Sequence, residues 1–180
     1  MASCTIRPFQ TRDCEGVNAV ARAAFDQYSQ DYQDWPSFID GIGRMADLAQ
    51  SGELIVAECA GAVAGAVVHL SPGAPRSAIF PEDWSVIRML VVAPASRGRG
   101  TGRELVAACL RAAQRAGAPA IGLHTSPIMA AALRLYEALG FERDQDLPPI
   151  RGVPYGRYCL PAAGFGQALT RLEAMARARL

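Results

Sequence analysis

The stretch Arg97-Gly98-Arg99-Gly100-Thr101-Gly102 joins an apolar run, residues 87–92, to an amphipathic helix pattern that begins at Gly102. Three glycines in this stretch let the backbone approach a ligand closely, because glycine has no Cβ. The N-terminus of the helix adds unpaired amide donors, and the two arginines add full positive charge. The stretch predicts an anion-binding cradle, although an ordinary strand-to-helix turn has the same pattern.

Two common nucleotide-binding motifs do not fit this stretch. A P-loop requires a lysine after its last glycine, and all 18 basic residues of this chain are arginine. A dinucleotide fingerprint requires G-x-G-x-x-G and an acidic residue about 20 residues later. Here Gly98, Gly100 and Gly102 are spaced by two, and residues 120–123 contain no acid. The stretch therefore does not indicate binding of a nucleoside triphosphate or a dinucleotide.

Regular elements are predicted on the C-terminal side of the glycines. Apolar residues at intervals of three and four predict a helix from Gly102, which Gly117 ends. A buried strand follows over residues 120–125, and Ser126-Pro127 has the residue types that begin a helix. We expect this next helix to end at Gly140. Further on we expect strands over 141–146 and 155–160, a proline-rich loop over 147–154 and a helix over 166–180.

The N-terminal half predicts strands and helices in alternation. Helical spacing of apolar residues places helices over 13–25 and 37–50. Strands are expected over 4–9, 54–59, 62–70 and 85–92, with a hairpin turn at Gly61 and a loop over 71–83.

These elements together resemble the acetyl-CoA-binding core of the GNAT N-acetyltransferase superfamily. The resemblance depends on an apolar strand, Pro94, Arg97-x-x-Gly100-x-Gly102, a helix, a strand, and a helix with Leu135-Tyr136-Glu137 followed by Gly140-Phe141. It is specific over residues 87–141 and looser elsewhere. It implies an α/β fold with a mixed, mostly antiparallel central sheet that is splayed at its centre and flanked by helices. Residues 1–162 would form one domain, and residues 163–180 a helical tail.

The resemblance also assigns roles to residues. The glycine loop, with Arg97, Gly98, Arg99, Gly100, Thr101 and Gly102, would bind the pyrophosphate of acetyl-CoA. The backbone of Leu90, Val91 and Val92 would pair with the pantetheine arm, and one amide there would polarise the thioester carbonyl. Ser126 matches a position with a polar contact to the cofactor, although capping a helix would explain it equally. Tyr136 matches the tyrosine that protonates the departing thiolate, although its place on an apolar helix face also suits a core residue.

The general base is where this sequence departs from its relatives. Many relatives have a glutamate in the strand before the loop, whereas this chain has Ser85, Val86 and Arg88. Glu82, Asp83 and His124 are candidates by position, and an ordered water relayed by backbone carbonyls is another.

Charge is unevenly distributed along the chain. Residues 1–87 contain 5 arginines and 11 acidic residues, and residues 88–180 contain 13 arginines and 6 acidic residues. A basic half that contains the glycine loop suits a phosphorylated ligand, and an acidic half suits a cationic acceptor rather than nucleic acid. Aromatic and acidic residues also interleave over 25–38, which would suit an ammonium group. A connecting loop with rings anchored in the core is the interpretation we favour there.

Cysteine and histidine usage indicates neither a disulfide framework nor a metal site. The five cysteines, at 4, 14, 59, 109 and 159, are dispersed without C-x-x-C spacing, so we expect buried or incidental thiols. His69 and His124 have no second ligand nearby in sequence. The chain has no signal-peptide pattern and no apolar run long enough to span a membrane, so we expect a cytoplasmic protein with no membrane partner.

The sequence therefore predicts an N-acetyltransferase that moves acetyl from acetyl-CoA to a primary amine by direct attack. Two alternatives stay open: a different acyl chain or a hydroxyl acceptor, and a binding module that holds acetyl-CoA without turnover. The acceptor, a small-molecule or peptide amine, is not specified by the sequence. A homodimer and a monomer are both compatible with it.

Overall fold

The computed structural model describes residues 4–178, which form a seven-stranded sheet with helices on both faces. The strands are β1 Cys4–Pro8, β2 Glu53–Cys59, β3 Ala62–Leu70, β4 Ser85–Val92, β5 Ala120–Thr125, β6 Glu142–Ile150 and β7 Val153–Pro161. The helices are α1 Cys14–Phe25, α2 Trp35–Ile42, α3 Thr101–Arg115, α4 Ala130–Leu139 and α5 Phe165–Arg177. The strand order is β1-β2-β3-β4-β5-β7-β6, and only β4 and β5 run parallel. The predicted mixed, mostly antiparallel α/β architecture is confirmed.

The sheet opens between its two parallel strands. Only the first two residues of β4, Ser85 and Val86, pair with β5, and the rest of β4 pairs with β3 alone. Near the opening the β3–β4 register shifts, and Met89 adopts a positive φ of 56°. Beyond this irregularity, residues 90–92 present a backbone edge that no strand covers on the β5 side.

Each face of the sheet has its own hydrophobic core. On one face α3 and α5 pack against residues such as Ile87 and Leu123, and Phe165 of α5 is fully enclosed there. On the other face α1 and α2 pack over Val56 and Val86. Alternation of side chains along the strands explains the division, because consecutive residues point to opposite faces.

The predicted second helix, 37–50, is wrong in extent. The helix α2 ends at Ile42, and after Gly43 and Arg44 the chain continues as a short 3-10 segment, Met45–Gln50. Glycines at positions 41 and 43 weaken an α-helix. The Asn18 side chain also accepts a hydrogen bond from the Ala46 amide at 2.9 Å, which holds the new segment in place.

The predicted proline-rich loop over 147–154 is also wrong. The strands β6 and β7 continue through most of it and are joined by a two-residue turn at Arg151 and Gly152, both with positive φ. The prolines at 148 and 149 fall where the register shifts, between Leu147 and Ile150. Because β6 is an edge strand, residues that cannot donate a ladder hydrogen bond are tolerated there.

Two local expectations need correction. The helix α4 begins at Ala130, so Ser126-Pro127 precedes it in a turn in which the Ser126 carbonyl accepts the Met129 amide at 2.9 Å. Cys4 and Cys59, expected to be free thiols, form a disulfide. They are directly opposite in the antiparallel β1–β2 pair, with Cα atoms 4.4 Å apart, although 55 residues separate them in sequence.

Candidate acyl-donor cleft

A cleft of about 480 Å³ lies where the sheet opens. It is bounded by the exposed edge of β4, the glycine loop, one side of α4 and the C-terminal end of α1. Eight of the ten predicted cofactor-binding residues line it: Leu90, Val91, Val92, Arg97, Gly98, Gly100, Thr101 and Gly102. Topology therefore places the open strand edge and the glycine loop in one cavity, as a long ligand with a phosphate end requires.

The glycine loop has the backbone conformation of an anion cradle. Gly98 and Gly100 have φ values of 75° and 95°, which L-residues with a side chain rarely adopt. A Cβ built on either would meet no atom within 4 Å, so both glycines face open space. The Gly100 carbonyl accepts the amides of Arg103 and Glu104, which starts α3 and leaves its first amides without helical partners.

The Thr101 side chain supplies an independent sign of a ligand. Thr101 is 3% exposed, and its Oγ1 has no hydrogen-bond partner among residues 4–178. Buried hydroxyls are nearly always hydrogen-bonded, because an unsatisfied one costs about 1 to 3 kcal/mol. Since Thr101 also lines the cleft at the start of α3, an anionic oxygen bound there would satisfy it. The residues present fit a phosphate group.

The arginines of the loop have different environments. The Arg97 guanidinium donates to the Ala24 carbonyl at 3.1 Å and to Gln27 Oε1 at 3.3 Å, which ties the loop to the end of α1. Arg99 is exposed and lies outside the cleft lining. Arg97 thus both positions the loop and adds charge to the cradle.

The remaining cleft wall is apolar. Ala131, Ala132 and Leu135 of α4 face the open edge of β4, and Met175 of α5 completes this side. In the sequence, Ala131, Ala132 and Leu135 are among the apolar residues of one helix face. Two small residues in succession on that face were the signal that the helix leaves room for a ligand.

Tyr136 follows Leu135 of the cleft lining in sequence, but its own side chain lies in the core. It is 4% exposed, its ring lies 5.6 Å from that of Phe141, and it is not among the residues that line the cleft. Burial, with a smaller contribution from the neighbouring Cys109, raises the pKa of the Tyr136 hydroxyl well above its usual value. The hydroxyl is therefore protonated at neutral pH, and burial makes it a weaker acid than a free tyrosine.

None of the predicted base candidates lines the cleft. Glu82 and Asp83 are exposed in the loop before β4. His124 of β5 has ring contacts with Phe80 at 6.1 Å and Tyr155 at 5.5 Å. Burial, and then the charge of Arg88, lowers the pKa of His124 from its usual value, which favours the neutral imidazole.

Ser126 is fully buried and is also outside the cleft lining. Its hydroxyl accepts the Ile128 amide at 3.4 Å within the turn before α4. This contact gives the side chain a local structural partner, and the cofactor contact predicted for it stays a prediction.

The aromatic segment after α1 is mainly a core anchor. Tyr32 is 5% exposed, stacks on Phe38 with ring centroids 4.0 Å apart, and shares a hydroxyl hydrogen bond with Tyr155. Tyr28 alone of the segment's tyrosines and tryptophan lines the cleft. The neighbouring Asp34 is exposed and pairs with Arg151 at 2.6 Å, so it does not form a cage with the rings.

Residues 4–178 contain neither a cluster of metal-ligating side chains nor a membrane-spanning helix. No group of three or more histidine, cysteine or acidic side chains there is arranged to hold a metal ion. No helix in that range has the length and apolar character needed to span a bilayer.

The fold is that of acetyltransferases whose structures have been solved. An N-acetyltransferase from Staphylococcus aureus Mu50 superposes with a TM-score of 0.71 at 18% identity, covering 89% of this chain and 99% of that one. The yncA protein from Salmonella typhimurium, solved with acetyl-CoA, has a TM-score of 0.65 at 21% identity over 89% and 94% of the two chains. A GNAT family acetyltransferase from Brucella melitensis in complex with acetyl-CoA has a TM-score of 0.59 at 22% identity, covering 88% of each.

The sequence identifies the family. Residues 17–141, more than half of the chain, match the model of the acetyltransferase (GNAT) family, and the chain belongs to that family. The predicted resemblance is confirmed. No curated protein matches the sequence significantly.

Proposed function

We propose that this protein transfers the acetyl group of acetyl-CoA to a primary amine by direct attack, without an acyl-enzyme. The single observation that carries the proposal is the unsatisfied Thr101 hydroxyl, buried at a glycine cradle within a cleft beside an open strand edge. Family membership and the acetyl-CoA bound to two similar structures support the same ligand.

The cleft divides the work of binding between its two ends. The pyrophosphate would lie against Gly98, Gly100 and the amides at the start of α3, with Thr101 and Arg97 as further donors. The pantetheine arm would lie along residues 90–92, whose uncovered backbone groups can pair with its amides as an added strand does. One of these amides would then polarise the thioester carbonyl and stabilise the negative charge that develops on its oxygen.

The chemical step needs one proton donor and one proton acceptor. The amine nitrogen attacks the thioester carbon and forms a C–N bond, and the C–S bond breaks with its electron pair on sulfur. Tyr136 is our candidate donor to this thiolate, because its hydroxyl carries a proton at neutral pH and its neighbour Leu135 lines the cleft. The neutral imidazole of His124, or an ordered water, would accept the proton that the amine loses.

Calorimetry and a thiol-release assay test the proposal. Titration with acetyl-CoA should show binding at one site, and a panel of amines should release free coenzyme A. Absence of acetyl-CoA binding would overturn the proposal. If coenzyme A is released with hydroxyl acceptors and with no amine, the acceptor in the proposal would be an alcohol instead of an amine.

A second candidate function is a binding module that holds acetyl-CoA without turnover. The observation that favours it is the position of Tyr136 in the core, outside the cleft lining. Tight acetyl-CoA binding with no thiol release on any acceptor would support this candidate against the enzyme.

A further inference from the structure

A second cavity, of about 320 Å³, lies on the α2 side of the sheet next to the cleft. Met89 lines this cavity and the next residue, Leu90, lines the cleft. The two spaces therefore adjoin at one point of β4, the strand irregularity where Met89 has positive φ. Consecutive Cα atoms are about 3.8 Å apart, and β5 does not pair with β4 beyond Val86, so the two linings come within a small molecule's length of each other where the sheet is open.

Three arginines from distant parts of the chain line the second cavity: Arg44, Arg88 and Arg151. Two are already paired, since Arg44 bonds Asp40 and Arg151 bonds Asp34. Arg88 is exposed, and its guanidinium makes no hydrogen bond or ion pair within residues 4–178, although its backbone belongs to the β3–β4 ladder. It therefore presents an uncompensated, forked donor group at the cavity.

The rest of the lining is largely apolar. Phe38 and Ile42 of α2, with Met45, Leu48 and Met89, contribute hydrocarbon or thioether surface. A cavity of this composition fits a ligand with one anionic group and one apolar group. A purely cationic ligand would meet the positive charge of Arg88 and would be disfavoured.

We infer that the second cavity binds the acceptor, and that the acceptor is an amine that also carries a nearby carboxylate or other anion, which Arg88 holds. This inference rests on the proposed function, because it names the acceptor of that reaction. Arg88 of the second cavity is two residues from Leu90 of the cleft, so a ligand that spans from one to the other is a small molecule. A small amino acid with an apolar side chain has such an amine and carboxylate. The inference reverses the cationic acceptor that the charge distribution of the sequence suggested.

Matched acceptor pairs test the charge requirement. Leucine and methionine would be compared with leucinamide and methioninamide, which keep the amine and side chain and lose the carboxylate. Phosphoethanolamine and ethanolamine form a second pair, which shows whether a phosphate can replace the carboxylate. We expect kcat/KM to be at least about tenfold higher for the anionic member of one pair, about 1.4 kcal/mol.

Variants of Arg88 test the assignment to this residue. Arg88→Gln should remove most of the preference by lowering kcat/KM for the anionic acceptor only, and Arg88→Lys should keep part of it. Affinity for acetyl-CoA, followed by calorimetry, should be unchanged in both. Arg111→Gln is the matched control, because Arg111 is an exposed arginine of α3 that lines neither cavity.

Direct binding of the same compounds separates the two proposals. If leucine or methionine binds and Arg88→Gln abolishes binding while no thiol is released, the cavity assignment stands and the transferase proposal fails. One contrary result is acetylation with the same kcat/KM for the amino acids and their amides, and another is an Arg88→Gln variant that leaves the ratio of these two kcat/KM values unchanged. Either result would leave the transferase proposal standing and overturn this inference.

Discussion

The cleft and the second cavity adjoin at Met89 and Leu90, but they are built in different ways. Much of the cleft lining comes from one continuous stretch, residues 90–103. The arginines of the second cavity come from positions 44, 88 and 151, which only the folded sheet brings together. The part of the protein that would hold the common co-substrate is therefore encoded locally. The part that would select the acceptor is encoded by tertiary structure.

The largest expected effect concerns Tyr136, which lies in the core next to Leu135 of the cleft lining. Tyr136→Phe should lower kcat by about 100-fold, because it removes the proposed proton donor, and should leave acetyl-CoA affinity unchanged. Tyr158→Phe is the control, since Tyr158 is another buried tyrosine of the same core. Thiol-release kinetics measure the first effect and calorimetry the second. Normal turnover in Tyr136→Phe would make Tyr136 a packing residue.

Two glycines with the same backbone strain test whether the cradle is specific to the cleft. Gly100 and Gly61 both have positive φ, and a Cβ on either meets no atom within 4 Å. Replacement of either by alanine should lower the free energy of unfolding by about 1 to 2 kcal/mol. Only Gly100→Ala should also weaken acetyl-CoA binding, by at least about tenfold, or about 1.4 kcal/mol.

Denaturant unfolding and calorimetry would be run on both glycine variants. Equal affinity in Gly100→Ala and Gly61→Ala would show that the loop does not bind the co-substrate. The co-substrate site would then not be encoded by the local glycine stretch, and the contrast with the second cavity would no longer hold.

Thr101→Val should change stability and affinity in opposite directions. It removes a buried hydroxyl that has no partner, so the unliganded protein should gain about 1 kcal/mol in unfolding free energy. The same change removes a donor to the phosphate and should weaken acetyl-CoA binding about fivefold to tenfold. Thr170→Val, at an exposed hydroxyl of α5 that bonds the Gly166 carbonyl, is the control. Loss of stability with unchanged affinity would argue against a ligand at Thr101.

The smallest expected effect is a change in the pKa of His124 when the charge of Arg88 is removed. The positive charge of Arg88 lowers the pKa of His124, so Arg88→Gln should raise it. Burial lowers the pKa of His69 as well, but Arg88 does not contribute there, so His69 is an internal control. NMR titration of the two imidazoles measures both. If His124 is the base, the acidic limb of the kcat/KM profile should move to higher pH in Arg88→Gln. An unchanged pKa of His124 in Arg88→Gln would show that the charge of Arg88 does not act on this imidazole.

Much of the fold was predictable because its signals are local. The hairpin at Gly61, the helix α3 and the helix end at Gly140 depend on short-range periodicity and on glycines that take positive φ. The break after Ile42 was not predictable, because part of its cause is a hydrogen bond from the Ala46 amide to Asn18 on another helix. The same holds for the prolines at 148 and 149, which suggest a loop until the edge position of β6 is known.

The candidate cleft was predictable to the extent that one stretch forms it. The glycine loop and the β4 edge were found from sequence, and they line one cleft. The disulfide between Cys4 and Cys59 and the position of Arg88 beside the second cavity depend on strand pairing and helix packing. No spacing rule reports such neighbours, since 55 residues separate the two cysteines.

The short contact between β4 and β5 has a mechanical consequence. Two residue pairs are the direct strand pairing between the half-sheets β1–β4 and β5–β7. A co-substrate lying along residues 90–92 would form hydrogen bonds with β4 where β5 forms none, and so stiffen the boundary between the two half-sheets. Amide hydrogen exchange on the uncovered side of β4 should then slow when acetyl-CoA binds, and the small molecule would act as a structural strand of the protein that consumes it.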